Sequence, residues 1–273
     1  MDLVEIVKSC GVVGAGGAGF PTHVKLGSRV DTVIVNGAEC EPLLAGDTFL
    51  LEREGGTVIE GLRLILGACG ARRGFIAVKE KHRQALDALA AQLQGNGDIR
   101  LFPLGDFYPA GDELVLVHEV TGRVVPPGGI PPQVGCLVEN VETTVNIHRA
   151  WQRGTPVTRR VLTCAGEVRR PSVVIAHLGT PVREIIRLCG GATEQECAVI
   201  LGGPLMGTVE TDLDTPVTKT TGGVILLSRD HPLVQRKTLP LETAVKRSRT
   251  ACCPCTYCTE LCPRHLLGHD LQP

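Results

Sequence analysis

The sequence has few aromatic residues and no excess of charge of either sign. Aromatic residues make up 3% of its 273 residues, and 28 Lys and Arg are balanced by 29 Asp and Glu. Proteins that bind nucleic acids usually present a basic surface, which a formal net charge of -1 does not provide. We therefore expect no nucleic-acid partner.

Long hydrophobic runs are also missing. No stretch approaches the roughly 18 apolar residues of a membrane-spanning helix, and the first ten residues carry Asp2, Glu5 and Lys8 where a secretory peptide would be apolar. We expect no direct membrane insertion and a cytoplasmic location, where reducing conditions disfavour disulfides. The twelve cysteines then serve as metal ligands or as small core residues.

The first half alternates short β-branched runs with helical patterns. Residues 31–36 and 74–78 are predicted strands, and Thr57–Cys69 between them has helical spacing. A helix over about 81–94 and a strand over 99–103 continue this order. The pattern predicts an α/β sheet domain.

In the middle of the chain the composition and the hydrophobic pattern change twice. Residues 108–132 are rich in Gly and Pro, which favours loops lining a site over regular structure, and residues 136–150 have a helical pattern. From about residue 157 strands surround one helix at 181–188, which predicts a compact α+β unit.

Four cysteines near the end carry the most specific signal. Cys252, Cys255, Cys258 and Cys262, followed by a proline, have the C-x2-C-x2-C-x3-C-P spacing of bacterial ferredoxins. The alternatives are a structural zinc site, which prefers two separated cysteine pairs, and a redox C-x-x-C motif. The spacing favours a 4Fe-4S cluster, with a second cluster and its cysteine motif expected in a longer chain.

A glycine-rich loop follows the first helical segment. Gly14-x-Gly16-x-x-Gly19 matches the dinucleotide fingerprint, but a helix precedes it where the Rossmann motif requires a strand. Backbone N–H groups of residues without side chains can still close on a phosphate. A tight turn that binds no ligand explains the glycines equally well.

Several polar residues after this loop are candidates for ligand contacts. They are Lys25, then Asn36, Glu39 and Glu41 after the first predicted strand, and Glu113, Asn140 and Thr143 in later segments. The carboxyl end of a parallel strand is where open α/β sheets bind ligands. A solvated lysine, a helix cap or a turn explains each residue about as well.

Longer motifs together identify a family resemblance. They are GAGGAGFPTHVK at 14–25, NGAECEP at 36–42, YPAGDE at 108–113, VPPGGIP at 125–131, ENVET at 139–143, GGPLMG at 202–207, PVTKTT at 216–221 and the cysteine motif. In this order they resemble the RnfC/PduS family, which is similar in turn to the flavoprotein subunit of respiratory complex I. Within the family, the cobalamin reductase branch is the nearer one.

The resemblance implies an α/β fold in three parts. These are a Rossmann-like FMN/NADH-binding domain at 1–152, an α+β β-grasp (SLBB) domain at 157–228, and the start of an α-helical ferredoxin-like 4Fe-4S segment at 240–273. It also implies that the chain is truncated before the second cysteine motif.

The resemblance further assigns residues to cofactors. FMN is expected at Gly14, Gly16, Gly17, Gly19, Asn36, Asn140 and Thr143, and NADH at Phe20, Lys25, Glu41 and Glu113, with Glu39 nearby. Complex I carries an arginine in place of Ala15 and an aspartate in place of Ala38, which implies weaker FMN binding here.

The implied function is that of an oxidoreductase. NADH reduces FMN, and electrons pass through 4Fe-4S clusters to cobalamin or to a partner electron-transfer protein, in the cytoplasm or inside a bacterial microcompartment. The alternatives are an RnfC-type subunit of a membrane-associated ferredoxin:NAD oxidoreductase and a non-catalytic electron relay. A β-grasp ligand-binding module is a third reading, but we expect no convergent polar site within 157–228.

Overall fold

The computed structural model describes residues 2–93 and 97–272. We call the first part the α/β unit. Its elements are α1 (Leu3–Ser9), α2 (Thr22–Leu26), β1 (Thr32–Gly37), α3 (Gly46–Cys69), β2 (Arg73–Lys79), α4 (Arg83–Gln92), β3 (Ile99–Leu104), α5 (Glu113–Thr121), a 3-10 turn (Pro131–Val134), β4 (Cys136–Asn140) and α6 (Val141–Arg153).

The α/β unit is built on a parallel four-stranded sheet in the order β3-β2-β1-β4. From β1 the chain continues to β2 and β3 on one side, whereas β4 pairs with β1 on the other side. Such a change of direction opens a crevice at the carboxyl ends of the strands. Asn36 and Asn140 are register partners at this edge, so the two expected ligand residues lie side by side.

Helices cover both faces of the sheet. Residues of α1, α3, α4 and α6 form one apolar core with one face, and α5 packs on the other. Helices α3 and α6 approach closely at Gly61, where a Cβ atom would clash with the Thr144 carbonyl oxygen. Glycine at this position therefore sets the distance between the two helices.

The second part, which we call the β-grasp unit, has its own sheet and core. It contains β5 (Arg159–Gly166), β6 (Ser172–His177), α7 (Val182–Leu188), β7 (Cys197–Leu201), β8 (Thr208–Glu210) and β9 (Gly223–Ser228). The strands form a mixed sheet in the order β6-β5-β9-β7-β8, and α7 packs on it through Val182 and Ile185.

The cysteine-bearing segment follows as four short helices. They are α8 (Pro232–Lys237), α9 (Leu241–Ala251), α10 (Tyr257–Glu260) and α11 (Pro263–Leu266). Within residues 2–93 and 97–272, no helix has the length and apolar content needed to span a membrane.

The predicted fold class is confirmed, but three segments differ from expectation. The chain from Cys136 to Asn140 is strand β4 and not the start of a helix, because its apolar residues pair with β1 inside the sheet. Helix α3 begins at Gly46, before the predicted start at Thr57. The predicted end of α4 at Gln94 lies outside the described residues.

Helix α5 is the third difference, because its segment was predicted to be irregular. Asp112 caps it, and its Oδ1 accepts hydrogen bonds from the N–H groups of Leu114 (3.0 Å) and Val115 (3.1 Å). An aspartate cap stabilises a helix start. The surrounding Gly and Pro residues obscured a nine-residue helix.

Candidate functional site

A cavity of about 880 Å³ lies between the carboxyl edge of the parallel sheet and the β-grasp unit. Its volume is within the usual range for a ligand site. Ten of the twelve expected cofactor-binding residues line it: Gly14, Gly16, Gly17, Phe20, Lys25, Asn36, Glu39, Glu41, Glu113 and Asn140. The other two, Gly19 and Thr143, are not among the lining residues.

The glycine loop forms one wall of the cavity. It closes on itself through a 2.8 Å hydrogen bond from Gly14 N to Phe20 O, and Gly17 has φ +111°. The Ala15 N–H donates to Thr143 Oγ1 at 2.9 Å, which ties the loop to the first turn of α6. Thr143 is fully buried, so it supports the loop from behind.

The two asparagines at the sheet edge are already bonded to protein groups. Asn36 Nδ2 donates to Gly111 O at 2.8 Å. Asn140 Oδ1 caps α6 by accepting from Glu142 N at 2.9 Å, and its Nδ2 donates to Asp47 Oδ2 at 2.8 Å. Both side chains therefore hold neighbouring segments around the cavity.

An acidic pair lies beside these asparagines. Glu39 Oε2 accepts hydrogen bonds from the N–H groups of Asp47 (2.7 Å) and Thr48 (3.1 Å) at the start of α3. Burial, together with the nearby Asp47 charge, raises the pKa of Glu39 to about 8. Burial also raises the pKa of Asp47, so this wall carries less negative charge at neutral pH than its composition suggests.

A buried ion pair joins the two units at the back of the cavity. The guanidinium of Arg160, on β5, pairs with the Glu142 carboxylate of α6, and both residues are buried. The same guanidinium donates to the carbonyl oxygens of Ala15 (2.6 Å) and Thr221 (3.0 Å). Arg160 thus links the glycine loop, α6 and the β-grasp unit.

The β-grasp unit also contributes polar groups to the cavity, including threonines of the PVTKTT motif at 216–221. Arg160 and the threonines Thr218, Thr220 and Thr221 line the cavity. The expectation that residues 157–228 lack a convergent polar site was therefore wrong. The groups converge on the α/β unit across the interface, and local sequence gives no sign of that approach.

Three of the residues expected to contact NADH lie together at the cavity wall. Lys25 Nζ donates to Glu113 Oε1 at 3.0 Å and to Val138 O at 2.8 Å. The ammonium also lies 6.0 Å from the centre of the Phe20 ring, within the range of a cation–π contact. Because α2 and α5 each present one partner, the pair forms only in the folded unit.

The fourth, Glu41, contacts the β-grasp unit instead. Its carboxylate accepts hydrogen bonds from Leu205 N (2.9 Å) and Met206 N (2.6 Å). Any side chain at Gly203 would clash with this carboxylate. Glu41 therefore fastens the 202–207 loop to the cavity rim.

A further carboxyl group, missed by sequence reasoning, lines the cavity beside Asn140. Glu139 is 1% exposed, and its Oε1 has no hydrogen-bond partner among the described residues. Burial raises its pKa to about 7, with the Lys25 charge opposing this effect. The signal in the sequence was its place as the first residue of the ENVET motif, next to the expected ligand residue Asn140.

Glu139 makes stability depend on pH. Because the folded protein holds this proton more tightly than the unfolded chain, its contribution to stability is greatest below the ordinary pKa of 4.5 and falls as pH rises through 7. We expect the wild type to lose about 2–3 kcal/mol relative to Glu139→Gln between about pH 5 and about pH 8. Urea unfolding at both pH values measures this, and parallel losses in the two proteins would contradict it.

The cysteine motif lies near the same cavity, and most of its thiols are on the surface. Cys252, Cys255 and Cys258 are exposed and Cys262 is partly exposed. Among the described residues, no three His, Cys, Asp or Glu side chains converge as metal ligands. The donor set has the chemistry of a cluster site, but its geometry here defines none.

Two contacts dock this segment on the α/β unit. Arg264, two residues after Cys262, donates to Asp112 Oδ2 at 2.7 Å. The buried His269 ring lies 2.7 Å from Val125 O. Since Asp112 precedes Glu113, the last cysteine of the motif is held close to the cavity wall.

The residues around the cavity fit a flavin mononucleotide. Gly17 lines the cavity, and a Cβ atom there would meet no neighbour within 4 Å, so the loop leaves room for a phosphate beside its backbone N–H groups. Lys25 places a positive charge on the same cavity wall. The cavity is also large enough for a planar ring beside that loop.

Comparisons with known proteins agree with this geometry. The model of the Nuo51 FMN-binding domain matches residues 7–149, and that of the SLBB domain matches residues 161–209. The chain is 48% identical over 272 residues to the cobalamin reductase PduS of Salmonella typhimurium, covering 100% of this chain and 60% of that protein.

A second group of relatives is more distant. One subunit of the Na(+)-translocating ferredoxin:NAD(+) oxidoreductase complex of Acetobacterium woodii is 36% identical, over 97% of this chain and 58% of its own length. The chain thus spans about 60% of the curated relatives it matches.

Among solved structures, the NAD+-reducing [NiFe]-hydrogenase in the air-oxidized state shares the fold. The TM-score is 0.71 at 23% identity, covering 83% of this chain and 46% of that one. The expected resemblance to the RnfC/PduS family is confirmed. With more than half of its residues matched by the family model, the chain belongs to the Nuo51 FMN-binding domain family.

Proposed function

We propose that this chain is the FMN- and NADH-binding part of an electron-transfer oxidoreductase of the cobalamin reductase type. The observation that carries the proposal is the cavity between the two units, which gathers ten of the twelve expected cofactor residues from segments far apart in sequence. The 48% identity to cobalamin reductase PduS supports cobalamin as the acceptor.

The chain's own residues would bind and orient the cofactors. We assign FMN to Gly14, Gly16, Gly17, Asn36 and Asn140, which line the cavity, with Thr143 holding the glycine loop from behind. We assign the nicotinamide nucleotide to Phe20, Lys25 and Glu113, with Glu39 beside them and Glu41 holding the cavity rim. When bound, FMN supplies the chemistry, since it accepts a hydride from NADH and returns the electrons singly. Lys25, held by its ion pair with Glu113, supplies a positive group at the cavity wall.

We divide the chain into an FMN/NADH-binding domain at 1–152, an SLBB domain at 157–228 and the start of a ferredoxin-like domain at 240–273. Cys252, Cys255, Cys258 and Cys262 are the proposed ligands of a 4Fe-4S cluster, on the strength of their spacing. Arg264 holds this segment against Asp112, near the flavin cavity. A bacterial microcompartment is the proposed site of action.

The second candidate is an RnfC-type subunit, supported by relatives at 36% and 33% identity. The higher identity to cobalamin reductases, 48% and 49%, favours the first. After NADH reduction, electron transfer to cob(III)alamin but not to ferredoxin would support the reductase role, and the reverse would support the RnfC role.

A lysine substitution tests the nucleotide site. Lys25→Met removes the cation between Glu113 and Val138 O, and hydrogen bonds to charged groups contribute about 1.5–3 kcal/mol. We expect the rate constant of NADH-driven flavin reduction, divided by the NADH concentration for half-saturation, to fall roughly ten- to hundredfold.

Stopped-flow absorbance under anaerobic conditions measures this loss. Lys8→Met, on the exposed face of α1, is the matched control and should reduce flavin like the wild type. Equal rates in Lys25→Met and Lys8→Met would remove Lys25 from the nucleotide site.

A further inference from the structure

Strand β6 is an open edge of the β-grasp sheet. It stands last in the strand order and pairs with β5 in antiparallel register. Beyond its end, the Leu178 N–H donates to Thr158 O at 2.9 Å, and hydrogen-bonded pairs alternate along such a ladder. The peptide groups of Val173 and Ile175 therefore point away from β5, on a side where the described residues place no further strand.

Two other sheet edges are protected against pairing with a second chain, whereas β6 is not. Strand β8, at the opposite end of the same sheet, has three residues and lies beside α8. Strand β3 carries Arg100 and Pro103, and charges and prolines discourage edge pairing. Strand β6 is Ser-Val-Val-Ile-Ala-His, without a proline or any acidic residue, lysine or arginine, and its Ile175 is 57% exposed.

Arginines lie at both ends of this edge. Arg169 and Arg170 are exposed just before β6, and the exposed Arg159 is the register partner of His177 at its other end. Residues 158–183 contain five arginines and one glutamate, although the whole chain has a formal net charge of -1. The surface around β6 is therefore basic in a chain that is otherwise balanced.

Three of the five arginines are available to a partner. Arg160 and Arg183 pair with carboxylates of this chain. Arg170 donates to a backbone carbonyl oxygen at 3.2 Å, which leaves its charge uncompensated. In the part of the chain that the structure describes, Arg159 and Arg169 also have no carboxylate partner. Arginine is enriched at protein interfaces, where its guanidinium pairs with carboxylates.

We propose that β6 docks an acidic, extended segment of a partner protein, which joins the β-grasp sheet as a further strand. In this mode of recognition, backbone hydrogen bonds give the affinity and side chains give the specificity. The peptide groups of Val173 and Ile175 bond the backbone of the partner, and the arginines at both ends pair with its carboxylates. The inference is independent of FMN binding, because β6 does not line the cavity.

Charge favours an acidic partner over a second copy of this chain. In an antiparallel pair of two β6 strands, the end of one strand that carries Arg169 and Arg170 would lie beside the end of the other that carries Arg159 and His177. Like charges that face each other across a strand pair are destabilising. A partner with carboxylates at both ends of its strand meets no such repulsion.

Binding of two synthetic peptides tests the proposal. The probe is fluorescein-labelled Asp-Glu-Val-Thr-Val-Thr-Val-Glu-Asp, and the control peptide has lysine at the four acidic positions. Fluorescence anisotropy gives the Kd of each peptide. We expect the acidic peptide to bind roughly tenfold more tightly than the control at low salt, and added salt to reduce the difference. In the complex, NMR should show slower exchange of the Val173 and Ile175 amide protons.

Substitutions separate backbone pairing from the other contacts. Ile175→Pro removes an outward N–H that β5 does not use, so it should bind the acidic peptide roughly five- to tenfold more weakly than Ile175→Thr, which keeps this donor. Arg169→Glu reverses one charge and should weaken binding roughly three- to tenfold at low salt. Arg53→Glu, at an exposed position of α3, makes the same change of net charge and should bind like the wild type.

Three results would overturn the proposal. They are a wild type without preference for the acidic peptide, equal affinities of Ile175→Pro and Ile175→Thr, and self-association of the wild type that Ile175→Pro abolishes in sedimentation velocity. The last result would assign the edge to a second copy of the chain. Far-UV circular dichroism verifies folding, and Arg169→Glu with the amide exchange decides the question if Ile175→Pro does not fold.

Discussion

Replacing Arg160 by methionine is expected to lower the free energy of unfolding by about 3–5 kcal/mol. The substitution leaves the Glu142 carboxylate buried without its cation and removes the donors to Ala15 O and Thr221 O. An unpaired buried charge is among the most destabilising changes a protein can undergo. Urea unfolding at neutral pH, followed by circular dichroism, measures the loss.

The neighbouring residue provides a matched control. Arg159 is exposed on the same strand, so Arg159→Met should change stability by at most about 0.5 kcal/mol. The double variant Arg160→Met/Glu142→Gln removes both charges and should recover part of the loss. If Arg160→Met and Arg159→Met have equal free energies of unfolding, the ion pair does not stabilise the contact between the two units.

Replacing Gly17 by valine is expected to weaken FMN binding roughly five- to hundredfold. Gly17 has φ +111°, a conformation that costs a β-branched residue about 1–3 kcal/mol. The loop is expected to relieve this strain by moving its N–H groups away from the phosphate position, so the cost appears as lost affinity. The FMN Kd measured by fluorescence quenching reports the change.

A second glycine separates local strain from an effect on the site. Gly154 also has positive φ, and a Cβ atom at either glycine meets no neighbour within 4 Å, but Gly154 lies after α6 and away from the cavity. Gly154→Val should therefore lower stability and leave the FMN Kd unchanged. Equal Kd values for both variants would show that the glycine loop does not bind the cofactor.

Contiguous motifs allowed much of the site to be predicted. The glycine loop, Lys25 and the polar residues after β1 could be singled out from local sequence, but only the family resemblance assigned them to cofactors, because a ligand-free turn or a solvated lysine explained them equally well. The α/β class followed from alternating patterns for the same reason. These features depend on residues that are close together in the sequence, so they can be identified without knowledge of the fold.

The parts that were missed depend on distant contacts. The Arg160 guanidinium donates a hydrogen bond to the Ala15 carbonyl oxygen, 145 positions away in the sequence. No local sequence pattern predicts this contact. In the sequence, Asp47 is an ordinary residue near a helix start. Its role becomes visible only in the fold, where its carboxylate accepts a hydrogen bond from Asn140, 93 positions away. The sequence pattern predicts a helix over β4, because only the pairing with β1 distinguishes its apolar residues from the α6 pattern that follows.

The most direct measurement is the anaerobic absorbance spectrum of the protein loaded with FMN, recorded before and after addition of NADH. We expect bound flavin to be present and its absorbance to bleach when NADH is added, while Lys25→Met bleaches far more slowly. A protein that retains no flavin, or whose bound flavin NADH leaves oxidised, would contradict the account and favour a non-catalytic relay.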